Sequence, residues 1–471
     1  MSMSEARKWA VGELGSIAVR DERIANRLVE TAATLAENPG RTIPQACGSW
    51  AKTKAVYRLL DNESVSPEVI LSSHREKTIE RMKGHDVILA IQDTTHLVYG
   101  GPPSGGVGMN STCPYSKGFL MHSAMAVTSE GVPLGLLDQH IWTRQPEETG
   151  KFHLRKKRPI EDKESSKWLR SLDRSLEGIP DDITVVTVCD READIYGFIR
   201  KALMDERLIL IRVAQNRRVI EEQRRLFALA DSYPEAGKIV VDIPRDTRNN
   251  LPPRKATLTV KFFRAIIWPT LGQTKQMVEK PVYIIRAKEV DPPEEVEEGV
   301  DWLLLTTIPV NSLEDAMEKI RWYTLRWRIE RFHHILKSGC GIQELQLETA
   351  DRLKNAIALY SLVALKILWF TYQARETPNA SCAMILERYE WQALCCVVNN
   401  TSIPPDSPPT LEEAARLIGR LGGHLGRKHD GMPGAKTISR GLRRLEDISQ
   451  AWLIMSQMLN RPIDVGNASR V

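Results

Sequence analysis

The chain holds 471 residues, 42% hydrophobic and 27% charged, a balance that fits two to four folded domains and excludes a fibrous or disordered chain. A net charge of +5 is too small to argue for nucleic acid by itself, so local clusters have to carry that case. The polar start Met1–Trp9 is no signal peptide, and the apolar runs are broken by charge short of a membrane span. Cys47, Cys113, Cys189, Cys340, Cys382, Cys395 and Cys396 show neither CxxC nor zinc-ligand spacing, which fits a reducing cytoplasm.

Residues 1–75 read as helices. Arg20–Glu37 spaces Ile24, Leu28, Ala32 and Leu35 by three or four, and Pro39-Gly40 ends it. Ile43–Trp50 and Lys52–Leu60 follow as shorter helices. Lys52, Lys54 and Arg58 form a candidate DNA-contacting face; a solvated helical bundle is the competing reading, and composition favours it. From about 80 to 330 the pattern changes to strands with helices between them. Val87–Gln92 is an apolar run ending in Asp93-Thr-Thr, and Gly100–Gly108 is a glycine-rich loop without the GxxxxGK phosphate pattern. Leu120–Thr128 and Val132–Leu137 are the next strands, and Lys151–Arg158 is a basic run that suits DNA or a solvated linker equally. Ile183–Cys189 is the clearest strand and ends at Asp190; a helix then runs toward Met204, and Arg207–Val213 is β-rich. Residues 215–300, with Ile239–Ile243, Ala256–Phe263 and Val282–Ile285, read as a β-rich insertion. Trp302–Thr307 resumes a core strand, and Ser312 caps a helix that continues through Trp322. Asp351–Tyr372 is a long apolar helix, 373–410 is irregular apart from a short helix near 382–397, and Leu411–Arg420 is helical. Arg444–Leu459 is an amphipathic tail, suited to a partner helix or to packing on its own domain.

Three aspects of this pattern carry chemistry. Two strand-like runs end in Asp93 and Asp190, and Tyr323, Arg326, Glu330 and Lys337 follow at offsets 0, 3, 7 and 14, near one face of a helix-like stretch. Three carboxylates that can converge are the minimum kit for a divalent-metal phosphodiester enzyme. Carboxylates are suitable hard ligands, and two ions about 4 Å apart can activate the attacking oxygen and neutralise the departing one. Arginine offers phosphate a planar fork and lysine a point charge. On residues alone, an Arg326–Glu330 helix pair is the bland alternative, and a strand tryptophan such as Trp302 belongs to the core.

The motifs Ile91-Gln-Asp93-Thr-Thr-His, Val188-Cys-Asp190-Arg-Glu-Ala-Asp-Ile-Tyr and Y-x2-R-x3-E-x6-K (Tyr323, Arg326, Glu330, Lys337) resemble those of the IS4-type DDE transposases. So do Trp302-Leu-Leu-Leu-Thr-Thr, Lys163-Glu-Ser-Ser-Lys-Trp168 and Ile418-Gly-Arg-Leu-Gly-Gly423. The match spans almost the whole chain and is thinner at about 225–295 and 373–410. The resemblance implies an α/β fold: a ribonuclease-H-like catalytic core at 76–372 with a β-rich insertion at about 215–300. A helical end-DNA-binding domain at 1–75 and a helical dimerisation domain at 373–471 would flank it. It implies Asp93, Asp190 and Glu330 as catalytic metal ligands for two Mg²⁺ ions, with Mn²⁺ substituting and Asp93 bridging. Tyr323, Arg326, Lys337 and Arg212 would bind phosphate, and Trp302 would receive a flipped base.

The function it implies is cut-and-paste transposition: binding of transposon ends as a homodimer on double-stranded DNA, hydrolysis through a DNA hairpin, and transfer of the 3′-hydroxyl to target DNA, in the cytoplasm at the nucleoid, with no membrane partner. Trp9, Arg23 and Arg27 are present, so an active enzyme is expected. A non-catalytic inhibitor of transposition and a structure-specific metal-dependent nuclease are the alternatives. His96 departs from the family and is expected to face solvent, and Cys340 has no chemical duty.

Overall fold

The computed structural model describes residues 4–100, 107–108, 117–144, 163–220, 224–243, 251–269, 277–427 and 430–459. Cys113, the basic run 151–158 and most of the glycine-rich loop lie outside the described residues.

Five helices open the chain: α1 (Glu5–Leu14), α2 (Glu22–Glu37), α3 (Ile43–Cys47), α4 (Trp50–Leu60) and α5 (Pro67–Met82). Short side-chain oxygens start each of them: Ser4, Asp21, Thr42, Ser49 and Ser66 accept from backbone N–H groups of the first turn. The boundary expected at residue 75 falls inside α5, which has no proline or glycine between Glu68 and Met82 to end it sooner.

A single nine-stranded sheet follows, built of β1 (Val87–Val98), β2 (Gly118–Thr128), β3 (Pro133–Trp142), β4 (Thr184–Cys189), β5 (Leu208–Arg212), β6 (Gly237–Ile243), β7 (Arg254–Ala265), β8 (Val282–Glu289) and β9 (Asp301–Thr306). Its order is β3-β2-β1-β4-β5-β9-β8-β7-β6. β4 and β5 run parallel to β1, and the other neighbours are antiparallel. The first five strands have the order expected of a ribonuclease-H-like core. The β-rich insertion is no separate body: β6, β7 and β8 join through β9 to β5 and continue the same sheet. α6 (Ser166–Leu176), α7 (Tyr196–Met204) and α8 (Leu226–Ser232) pack with Cys189, Ile209, Ile211, Leu303 and Leu305 on one face. Leu89, Ile91, Val186, Val188, Leu210 and Leu304 point to the other face, against α9 (Leu313–Thr324), α10 (Trp327–His334) and α11 (Ala350–Glu376).

α9, α10 and the turn after them correct a further expectation. Tyr323 to Lys337 is not one helix: α9 ends at Thr324, Leu325 and Arg326 form a joint, α10 restarts at Trp327, and Ile335–Gly339 is a π-helical turn carrying Lys337. No proline or glycine between 313 and 338 signals either change.

α11 is long and apolar enough to cross a membrane, but 83% of its most hydropathic window is buried inside the fold. It supports both ends of the chain. Asn355 donates to the carbonyls of Leu60 and Val65 at 3.0 Å, and Arg352 pairs with Asp61 at 2.9 Å. α12 (Arg388–Asn399), α13 (Leu411–Leu421) and α14 (Ala435–Leu459) complete the helical part, and α14 begins nine residues before the tail expected at Arg444. On the opposite side of the N-terminal helices, Glu13 of α1 accepts from His74 (2.6 Å) and Arg81 (2.7 Å) of α5, and His74 Nε2 accepts the Leu136 N–H of β3 at 2.9 Å. Gly135, at φ +154, permits this approach, since a Cβ there would stand 2.1 Å from Thr78 Oγ1.

Candidate active site

The parallel register sets Ile91 opposite Val188, so Asp93 and Asp190 follow two residues later on neighbouring strands, which in any sheet lie about 4.8 Å apart. Side chains alternate along a strand, so Asp93 shares its face with Leu89 and Ile91, and Asp190 shares that same face with Val186 and Val188. Both acids therefore point toward α10, while Cys189 points into the opposite core. Asp190 also caps the turn Arg191–Ala193, accepting from the Glu192 N–H at 2.8 Å.

The two carboxylates titrate in opposite directions. Burial pushes Asp93 upward, but His333 first and Arg326 next outweigh it, and its pKa falls below the ordinary value. Burial and then the nearby Asp93 charge outweigh the Glu192 amide and Arg326 at Asp190, and its pKa rises. Like charges forced together are costly unless a cation joins them.

Arg326 is the cation at the centre. Burial works against its charge, yet Tyr323, Glu330 and Asp93 together raise its pKa further. Its Nη2 is bonded to Glu330, one helical turn on, and its Nε is buried without a partner among the described residues. Tyr323 is buried beneath it, with a pKa raised by burial and opposed by Arg326 and Arg212. Arg212 ends β5, donates to the Asp301 carbonyl at 3.1 Å and also reaches Tyr323. Lys337 is half-buried; burial lowers its pKa while Asp93 pulls it back. Tyr323, Arg326, Lys337 and Arg212 thus lie within electrostatic reach of one another and of the two aspartates in spite of the broken helix, while Glu330 is joined to them through Arg326 alone.

Trp302 of β9 is only 6% exposed and meets the Tyr323 ring edge-on, with centroids 5.4 Å apart. As folded, it is a core tryptophan behind Tyr323. Lys52, Lys54 and Arg58 are exposed on α4 and do not join the acids, and His96 faces solvent.

Sequence reasoning missed His333 and His122. His333, three residues after Glu330 on the same side of α10, is buried with Nδ1 3.6 Å from Asp93 Oδ2, and its Nε2 has no partner among the described residues. The i, i+3 spacing from Glu330 was the available signal. His122 lies behind the acids on the other sheet face. It bonds Thr94 at 2.9 Å and Gln92 at 3.3 Å and meets Trp168 of α6 edge-on at 4.6 Å, and burial and then Lys167 hold it neutral. Asp194, from the motif after Asp190, accepts the Ala214 and Gln215 N–H groups (2.8 and 2.6 Å) and binds Arg217, tying the Asp190 loop to the end of β5.

Two convergent, electrostatically opposed carboxylates with hard oxygen donors fit a divalent cation. Among the described residues no three His, Cys, Asp or Glu side chains stand together as a ready metal cluster; Glu330 is engaged by Arg326.

Three families match successive parts of the chain. Residues 6–65 match "Transposase DNA-binding", residues 163–365 match "Transposase DDE domain", and residues 362–451 match "Transposase Tn5 dimerisation domain". The second match includes Asp190 and Glu330 and begins after β1, so Asp93 stands on the register alone. A solved piggyBac transposase synaptic complex with hairpin DNA aligns over 98% of this chain and 79% of its own, at 9% identity and a TM-score of 0.38, too distant to carry any argument.

Proposed function

We propose that this chain, which belongs to the Tn5-like group of the IS4-type DDE transposases, cuts the ends of its element through a DNA hairpin and joins the freed 3′-hydroxyl to target DNA. DNA and a second copy of the chain are its partners, and DDE domains work with divalent metal. The observation that carries the reading is the register that sets Asp93 beside Asp190 beneath an Arg326–Glu330 pair. When bound, two Mg²⁺ or Mn²⁺ ions supply Lewis acidity at the attacking and leaving oxygens, and Asp93, Asp190 and Glu330 are the residues to hold them.

The protein's own groups prepare that chemistry. His333 fixes the Asp93 carboxylate, and Tyr323, Arg212, Arg326 and Lys337 present hydrogen bonds and positive charge to the phosphate. Arg326 holds Glu330 until a phosphate competes for its guanidinium; Glu330 is then free to turn toward Asp93. DNA engagement and completion of the three-acid set are in this way one event. Hydrolysis of one strand, attack of its 3′-hydroxyl on the other, opening of the hairpin and attack on target all transfer phosphoryl groups at one site with a changing nucleophile. In the hairpin stage Trp302 is the stacking surface for a flipped base, which requires its ring to become accessible. Lys52, Lys54 and Arg58 are the proposed end-DNA contacts.

The test is nicking of candidate end oligonucleotides with Mg²⁺ or Mn²⁺. Asp93→Ala, Asp190→Ala and Glu330→Ala should each abolish nicking and leave end binding intact. Retained nicking in any of the three removes that residue from the site.

A further inference from the structure

α10 has a second charged side. At ~100° per residue, Arg331 and Arg328 lie about 100° and 160° around the helix from Glu330. They open into a cleft of about 820 Å³ between β6 and β7, the α9–α10 joint, α11 and the start of α14. Lys255, Arg328, Arg331 and Arg375 line it, with Asp242 as an acid on its wall and Glu376 next to Arg375. Among the described residues none of these four cations makes an ion pair, whereas Arg254 on the rim is bound to Glu289.

The cations are also held close together. The Arg328 guanidinium lies 3.8 Å from the Tyr372 ring centroid and that of Arg375 lies 5.5 Å from the same ring. Arg328 also packs on the turn at Gly131, and its Nε is buried without a partner among the described residues. Partial burial lowers the Arg375 pKa; Tyr372 opposes this, and Arg328 and Arg331 add to it. Guanidiniums gathered round one aromatic ring repel each other, and a polyanion laid between them relieves that repulsion.

A helix with its side chains is about 10–12 Å across, so a strand held at the acids does not also fill a cleft on the other side of α10. We propose that this cleft binds the phosphodiester backbone of target DNA, the duplex that receives the 3′-hydroxyl. The proposal rests on the transposase reading above.

Lys255 and Arg331 are exposed, so the charge-reversed double variant Lys255→Glu/Arg331→Glu leaves the core intact. The probe is a fluorescein-labelled duplex of arbitrary sequence, added to the protein already bound to pre-cleaved ends. We expect its affinity to fall about tenfold or more and the salt slope to become shallower by about two, one unit for each phosphate that is no longer neutralised. Strand transfer should fall in step, with first-strand nicking unchanged and Lys255→Arg/Arg331→Lys behaving as wild type. Unchanged target affinity overturns the proposal. Loss of nicking together with strand transfer also overturns it, because the cleft would then serve end DNA. If the wild-type protein fails to nick, the transposase reading falls, while binding of the arbitrary duplex by the free protein still tests the cleft.

Discussion

Two buried acid clusters in this protein are built on opposite principles. Where α1 meets α5, Glu13 has dedicated partners in His74 and Arg81 and is held ionised, with a pKa of about 2 despite burial. At the candidate active site Asp93 and Asp190 oppose one another, share Arg326 with Glu330, and leave Arg326 Nε and His333 Nε2 unpartnered among the described residues. The first cluster is complete and works as a fastener. The second is electrostatically unfinished, the condition in which perturbed pKa values gather at functional sites.

The comparison can be broken most sharply by removing one acid from each cluster. Asp190→Asn should reduce nicking by at least about a thousandfold and leave the melting temperature equal or higher, because a like-charge repulsion disappears. A fall in melting temperature matching the lost activity would make Asp190 a fastener too. Glu13→Gln should show the reverse, a loss of the order of 3 kcal/mol in denaturant unfolding, since a pKa lowered from 4.5 to about 2 has that worth. Its folded pKa is depressed, so this stability is present above about pH 4.5 and is lost as pH falls toward 2; the variant should lack that acid slope.

A smaller effect tests Arg326. Arg326→Gln should tighten Mn²⁺ binding to the DNA-free protein about tenfold, by removing a nearby positive charge and freeing Glu330. Isothermal titration should show that gain cancelled in the Arg326→Gln/Glu330→Gln double variant. A gain that persists there would reduce Arg326 to a long-range charge. The last effect belongs to Glu390, raised to about 7 chiefly by burial, with the Glu446 and Glu387 charges adding and Lys366 and the Glu387 N–H, which donates to its carboxylate, opposing. Its folded pKa lies above the unfolded one, so its contribution is full below about pH 4.5 and disappears as pH rises through 7. Glu390→Gln should therefore stabilise the protein by about 3 kcal/mol at pH 8 and by nothing at pH 4, read as melting temperature across pH.

The fastener and the site were not equally legible in the chain. Asp93 and Asp190 were visible because apolar strand runs stop at them, and period 2 told which way Cys189 points. That they stand side by side depends on strand register, which is a tertiary fact. The helix break at Leu325–Arg326 left no mark, since it has no proline or glycine at it, and the π-turn at Lys337 has only Gly339 at its far end, which signals a helix stop and not a wider turn. The Glu13–His74–Arg81 set was invisible for the same reason as His333–Asp93: each joins residues on elements far apart in sequence. The strands of 215–300 were found, but not their union with the main sheet, because edge pairing has no local signature.

α11 spans 27 residues, about 40 Å of continuous helix. The catalytic and dimerisation family matches meet at 362–365, inside it. Units that look separable by ancestry therefore share one rod. A chimera spliced at that junction must preserve helical phase through the splice, since an insertion of one residue would turn everything downstream by about 100° relative to the acids.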